Sequence, residues 1–226
     1  MAWGRTGRVN LCDGGREVKS RSRNERLHMA RISLARSLHD VGLAVWCGGA
    51  LMGAVGLNGA GSTLADPTQR GRAVNEGWQR WAPVNAVAIG AHLVGGALIV
   101  RENRGRIGGQ QGVAIWTGTK TALTGAALAS TAATGYFSKQ VWAEGDVPLQ
   151  AATTPTAATP AGAAKALGPL RILQWITPAL TGALIASSAV MGEQQRPAEV
   201  AKGAAKRAAQ TITHPQVAAR ALHLVS

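Results

Sequence analysis

Phenylalanine and tyrosine are nearly missing from this chain, one of each in 226 residues. Lysine is scarce beside arginine, six against eighteen, and cysteine occurs only as Cys12 and Cys47. Each shortage excludes something. The Lys and Arg behind the net charge of +13 lie at the flanks of the apolar runs, with no aromatic platform or nucleic-acid fold signature beside them, so nucleic acid is not an expected partner. Two cysteines, one in a polar arm and one in an apolar run, make no disulfide framework, and no CxxC or Cys/His metal spacing exists. HExxH, GxSxG, a P-loop and a strand-linked GxGxxG are also absent. Asp40 is the only carboxylate near the start of an apolar run, so acid–base chemistry has few candidates and no catalytic residue is expected.

What is present is small-residue apolar material: 29 Gly, seven Trp and abundant Ala, gathered into a few long runs. The mean hydropathy of +0.04 averages these runs with an Arg-rich N-terminal arm, a polar loop and a basic tail. Such clustering is the signature of membrane crossing, which takes roughly 20 predominantly apolar residues per helix. Abundant Ala, Gly and Arg beside few Lys, Phe and Tyr is what GC-rich codons produce, and it points to a bacterial origin.

Four spans are predicted, at about 38–60, 83–100, 113–137 and 170–191. The expected fold is all-α, a polytopic membrane protein with four transmembrane helices in an antiparallel bundle. Residues 1–37 read as a disordered basic arm, and Met29 offers an alternative start that would make 1–28 an upstream extension. Residues 61–82 read as a polar loop whose Trp78 and Trp81 suit a membrane interface, with Pro83 in the first turn of the second span. Residues 143–168 read as an extended Pro/Ala/Thr external loop, and 193–226 as a basic, Ala-rich tail. The arm, the 101–112 loop and the tail hold most of the Lys and Arg, which places both termini on the cytoplasmic side of a bacterial cell membrane.

Gly49 and Gly53 form a GxxxG on the first span, a helix-packing signal that lets a neighbour approach closely in lipid. His92 falls near the middle of the second span, Lys120 lies about two turns into the third, and Asn85 is polar in an apolar context; these are the candidate pathway residues. For Lys120 the preferred reading is snorkelling toward headgroups. His39 and His92 are the candidate cofactor ligands, as a bis-histidine haem pair, but counting from the cytoplasmic ends sets His92 roughly 10 Å deeper, which argues against one shared ligand. No cofactor and no metal site is therefore expected.

The stretch from Ser37 to Gly49 carries an H-x6-W-x-G-G pattern on His39, Trp46, Gly48 and Gly49 at the opening of a helix. It resembles the first helix of small four-helix bacterial membrane proteins, among them actinobacterial families without an assigned function and copper-resistance D-like proteins. The resemblance implies fold and location. The expected partners are the lipid bilayer and either a second copy of the chain or another membrane protein. A non-enzymatic packing or assembly role leads, followed by a small-solute carrier or channel, and then by haem or copper binding.

Overall fold

The computed structural model describes residues 11–109, 111–143 and 145–194. The first helix, α1, spans Leu11–Met52; it passes through a π-helical turn at Gly53–Leu57 and continues as α2 over Asn58–Ser62. Then come α3 (Pro67–Gly109), α4 (Gln111–Trp142), a two-stranded hairpin of β1 (Leu149–Ala151) and β2 (Thr154–Pro155), and α5 (Ala161–Gln194). The basic tail from 195 onward lies outside the described residues.

The helices are much longer than the predicted spans. At 43 residues α3 is about 64 Å long, twice the roughly 30 Å hydrocarbon core of a bilayer. Residues 11–37, expected as a disordered arm, are helical, and the expected loop at 61–82 shrinks to the turn between Ser62 and Pro67. Asp66 explains the early start of α3. Its carboxylate accepts the Gln69 N–H at 2.7 Å, an N-cap, and Pro67 occupies the first helical position, where its missing donor costs nothing. Pro83 consequently sits inside the helix instead of at its beginning.

Among the described residues three helical stretches are long and apolar enough to cross a membrane: Arg26–Ser62, Pro67–Gly105 and Ala161–Ala189. Only 17% of the apolar window of the second is buried within the fold, and Val87 on it is 74% exposed, so much of that surface needs an apolar medium. Helix α4 covers the expected third span but is not among them. Its Thr, Ser and Gly content dilutes the apolar run.

The helices form two antiparallel pairs, α1 with α3 and α4 with α5, joined mainly through α1 on α5. Buried Leu43 and Trp46 of α1 meet Ala127 of α4 and Leu184 of α5 in the bundle core. Glycines set how closely α1 and α3 approach. A Cβ on Gly42 would lie 2.5 Å from the Ala88 carbonyl oxygen, and one on Gly95 the same distance from that of Ala35. Further along, Gly49 of α1 and Gly53 of the π turn leave room for the indoles of Trp81 and Trp78. These two tryptophans, expected as interface anchors, are half-buried knobs in glycine holes. The π turn serves the same seam. Gly53 and Asn58 are both buried and five residues apart, the spacing of one π turn, so Asn58 replaces Leu57 on the inner face.

A second core lies at the end of the bundle that carries the hairpin. Val141, Val147, Leu149, Ala163, Ala166 and Leu167 are fully or almost fully buried together, with Phe137, Trp142 and Leu170 packed around them. The segment expected as an extended loop is therefore a folded cap. Arg70 holds it: the guanidinium donates to the carbonyls of Leu64 (2.7 Å), Ala65 (3.3 Å), Leu149 (3.2 Å) and Gln150 (2.6 Å), tying the α2–α3 turn to β1. Thr159 donates to the Pro148 carbonyl at 2.6 Å, and Arg171 to that of Thr153 at 3.3 Å. Arg72 pairs with Asp146 and holds its carboxyl below the usual carboxylate range.

Gly49→Leu or Gly53→Leu is expected to destabilise the fold by at least about 3 kcal/mol, because a branched side chain has to displace an indole. Gly118→Leu, into open space, is expected to leave it unchanged, and thermal unfolding in mild detergent checks both. Arg70→Lys, which keeps the charge but loses the planar fork, is expected to weaken the cap by about 2 kcal/mol. Amide hydrogen exchange at 149–154 reads that loss directly.

Candidate functional site

Of the polar groups expected inside the membrane, His39 and His92 meet on the seam between α1 and α3, whereas Lys120 lies between α4 and α5. His39 and His92 lie against each other, ring centroids 4.0 Å apart and planes inclined by 19°. His39 Nδ1 is 3.0 Å from the carbonyl oxygen of His92, and His92 Nδ1 is 2.9 Å from that of His39. A carbonyl only accepts, so both Nδ1 atoms carry the proton and donate. Each carbonyl also lies inside a helix, and its second lone pair takes the imidazole without breaking the helical bond.

This arrangement corrects the expected depth difference. The count from the helix ends assumed that α1 begins near Leu38, whereas α1 continues well before it and runs antiparallel beside the last turns of α3. His28 reaches Glu102 at 3.1 Å and His39 meets His92, so the two helices stay in one register over this length.

The local twofold relation is written in the residues. Ala35-x3-His39-x-Val41-Gly42 on α1 and Ala88-x3-His92-x-Val94-Gly95 on α3 are the same A-x3-H-x-V-G string, 53 residues apart. In each copy the alanine and glycine make the close backbone contact and the histidine bonds across. Self-similarity anchored on a histidine is the signal that marks this string. The shorter likeness between CGGAL at 47–51 and VGGAL at 94–98 is out of register with it.

His92 is 1% exposed, and its Nε2 has no hydrogen-bond partner. Trp46 meets its ring edge-on at 6.2 Å. Asn85, seven residues earlier on α3 and so on the same face, has an unpartnered Oδ1. Asn58 is better served: its amide donates to Gln174 Oε1 at 3.0 Å and its oxygen accepts the Trp78 indole N–H at 3.1 Å, joining α2, α3 and α5. Trp46 Nε1 donates to Thr131 at 3.2 Å, and Ser130 shares a 2.8 Å bond with Thr177. Lys120 is half-buried and turns inward, its ammonium donating to Ser188 Oγ at 2.7 Å instead of extending toward headgroups.

Bis-histidine haem does not fit this pair. An iron between two imidazoles needs them on opposite faces of a porphyrin, and rings stacked at 4.0 Å leave no space for one. Among the described residues no group of three His, Cys, Asp or Glu is placed to hold a metal ion. The polar residues do not converge on a single point; they tie helices together pairwise, which in lipid contributes about 0.6 to 2 kcal/mol per bond. Gly49 and Gly53 belong to the same intramolecular seam through Trp81 and Trp78.

Comparison with protein-family models, with curated proteins and with solved structures found no match.

Removing the His39 ring is expected to cost about 1–2 kcal/mol, one interhelical bond plus the stack, and the fully buried His92 ring more, about 2–3 kcal/mol. Neither His39→Ala nor His92→Ala is expected to change the visible absorption of the purified protein. A Soret band that either variant abolishes would overturn the reading of this pair as structural.

Proposed function

We propose that the chain is a four-span protein of the bacterial cytoplasmic membrane, N-in and C-in, that acts through assembly and not through chemistry. Two features support four spans. Helix α4 runs antiparallel along α5, with Ser130 opposite Thr177 and Lys120 opposite Ser188, and α5 is apolar enough to cross. A helix fixed at both of these levels follows its neighbour through the bilayer. The orientation rests on the short Arg101–Arg106 segment, the region most subject to the positive-inside bias, and on the basic ends of the chain.

One observation carries the assembly reading. Helix α4, the least suited of the long helices to face lipid, exposes Gly118, Ala122, Gly125, Ala129 and Ala132 at alternating spacings of four and three. A Cβ at Gly118 or Gly125 would meet nothing within 4 Å. In lipid such a face gains most by packing against another helix. The favoured partner is a second copy of the chain, with another membrane protein as the alternative. This outward face replaces Gly49 and Gly53 as the seat of association.

A second reading, a carrier or channel for a small solute, draws on the two buried acceptors without donors, His92 Nε2 and Asn85 Oδ1, which share one face of α3. Haem or copper binding is the least supported, because the histidine rings close on each other.

Gly118→Leu combined with Gly125→Leu is expected to lower self-association in lipid nanodiscs at least tenfold while leaving the thermal unfolding of the monomer unchanged. Single-molecule mass measurement reads the first quantity. Undiminished complexes in the double variant, or a wild-type chain that is monomeric at every concentration, would refute assembly through α4.

A further inference from the structure

The outer side of the α1–α3 seam carries a groove of about 670 Å³. Leu38, Val41 and Val45 form one wall, and Val84, Val87 and Ala91 the other. All belong to the stretches apolar enough to cross a membrane, so the groove opens toward acyl chains. Its only hydroxyl is that of Ser37, at the end where α1 enters.

Beyond Ser37 the α1 wall turns polar first, at Arg36 and Arg31, while the α3 wall stays apolar through Val94 and Val100 and turns basic at Arg101. Two turns of helix take seven residues, so Arg31 lies on the face of α1 that carries Leu38 and Val45. By the same spacing Arg101 lies on the face of α3 that carries Val87 and Val94. The antiparallel register set by His39 with His92 and by His28 with Glu102 brings Arg31 and Arg101 to one level. Both are exposed, and among the described residues neither has an ion-pair partner, the neighbouring Glu102 being occupied by His28.

We propose that this groove and its two arginines are a binding site for one anionic glycerophospholipid. The match is one of polarity along depth. From Val45 to Ser37 the groove is about 12 Å long, comparable to the roughly 15 Å hydrocarbon half of one leaflet, and takes an acyl chain. Arg31 and Arg101, about 9 Å further on, stand at the phosphate, where a guanidinium binds two oxygens at once. Basic residues between helices at the cytoplasmic face select lipids of net negative charge. A second copy of the chain would bring an apolar helix to the groove but no anion to the arginines. The inference rests on the membrane placement proposed above and is independent of the assembly through α4.

The test is native mass spectrometry of the full chain released from nanodiscs made with either phosphatidylglycerol or phosphatidylcholine of the same acyl chains. One phosphatidylglycerol per chain is expected to remain bound, with at least tenfold less phosphatidylcholine. Arg31→Gln with Arg101→Gln is expected to remove that preference, and Ala91→Trp to fill the groove and release both lipids. Arg104→Gln, which also deletes one exposed cytoplasmic charge, is expected to change nothing. Equal retention of the two lipids, retention unchanged in the double arginine variant, or a loss with Arg104→Gln equal to that of the double would overturn the site. So would a dimer that excludes lipid and falls apart with Ala91→Trp. The double arginine variant alters only exposed side chains, so it decides for or against the site even if Ala91→Trp fails to fold. A chain that stays in buffer without detergent or lipid would refute the membrane placement itself, whereas a folded, lipid-free chain in detergent refutes only the lipid site.

Discussion

The contact that the rest of the bundle depends on is the meeting of the α1 and α3 backbones at Gly42 and Gly95. There a Cβ would sit 2.5 Å from the carbonyl oxygen of Ala88 or Ala35. Lipid supplies no hydrophobic drive between helices, so close van der Waals packing and interhelical hydrogen bonds have to supply the attraction. Close approach is also what lets each imidazole reach a carbonyl on the opposite helix. The histidine bonds are a consequence of the glycines and at the same time fix their register. Trp78 and Trp81 extend the seam by filling the holes over Gly53 and Gly49, and the π turn then rotates Asn58 inward to receive the Trp78 indole.

The two pairs of helices are held differently. Between α1 and α3 the seam is glycine, histidine and tryptophan; between α4 and α5 it is hydroxyl groups, Ser130 on Thr177, with Lys120 reaching Ser188. The second kind of seam leaves much of α4 polar and small on its outer side, which is why assembly is the favoured role for this helix. At the far end the cap closes the bundle with an apolar cluster and the Arg70 fork, and its order comes from backbone carbonyls captured by one guanidinium. A segment made almost entirely of Ala, Thr and Pro has few side chains able to do this for itself.

The lipid site and the histidine seam occupy opposite sides of the same helix pair. Because α1 and α3 pack through glycine and alanine, their larger side chains stand apart on the outer surface, and the space between Val41 and Val87 becomes a groove. The feature that brings the backbones together thus also shapes the surface offered to the membrane.

Much of this was legible in the residues. Run length and small-residue composition are enough to give a mostly helical chain with helices long and apolar enough to cross a membrane, because the thickness of a bilayer is a fixed ruler. That Gly49, Gly53, His92 and Lys120 stand out was legible too, since each is conspicuous against its apolar neighbours. Their partners were not. Whether a GxxxG receives a helix backbone, a second chain or an indole depends on what the fold places opposite it, and Trp81 lies 32 positions from Gly49. The depth of His39 depended on helix beyond the apolar run, where hydropathy has no signal and only capping and tertiary contact decide. The cap was hidden for a related reason: Arg70 and Leu149 are separated by the full length of two helices. The sequence by itself determined the three helical segments that are long and apolar enough for lipid. The tertiary structure decided which faces meet, because in a bundle of Ala and Gly the choice of partner rests on a few close contacts between residues far apart in the chain.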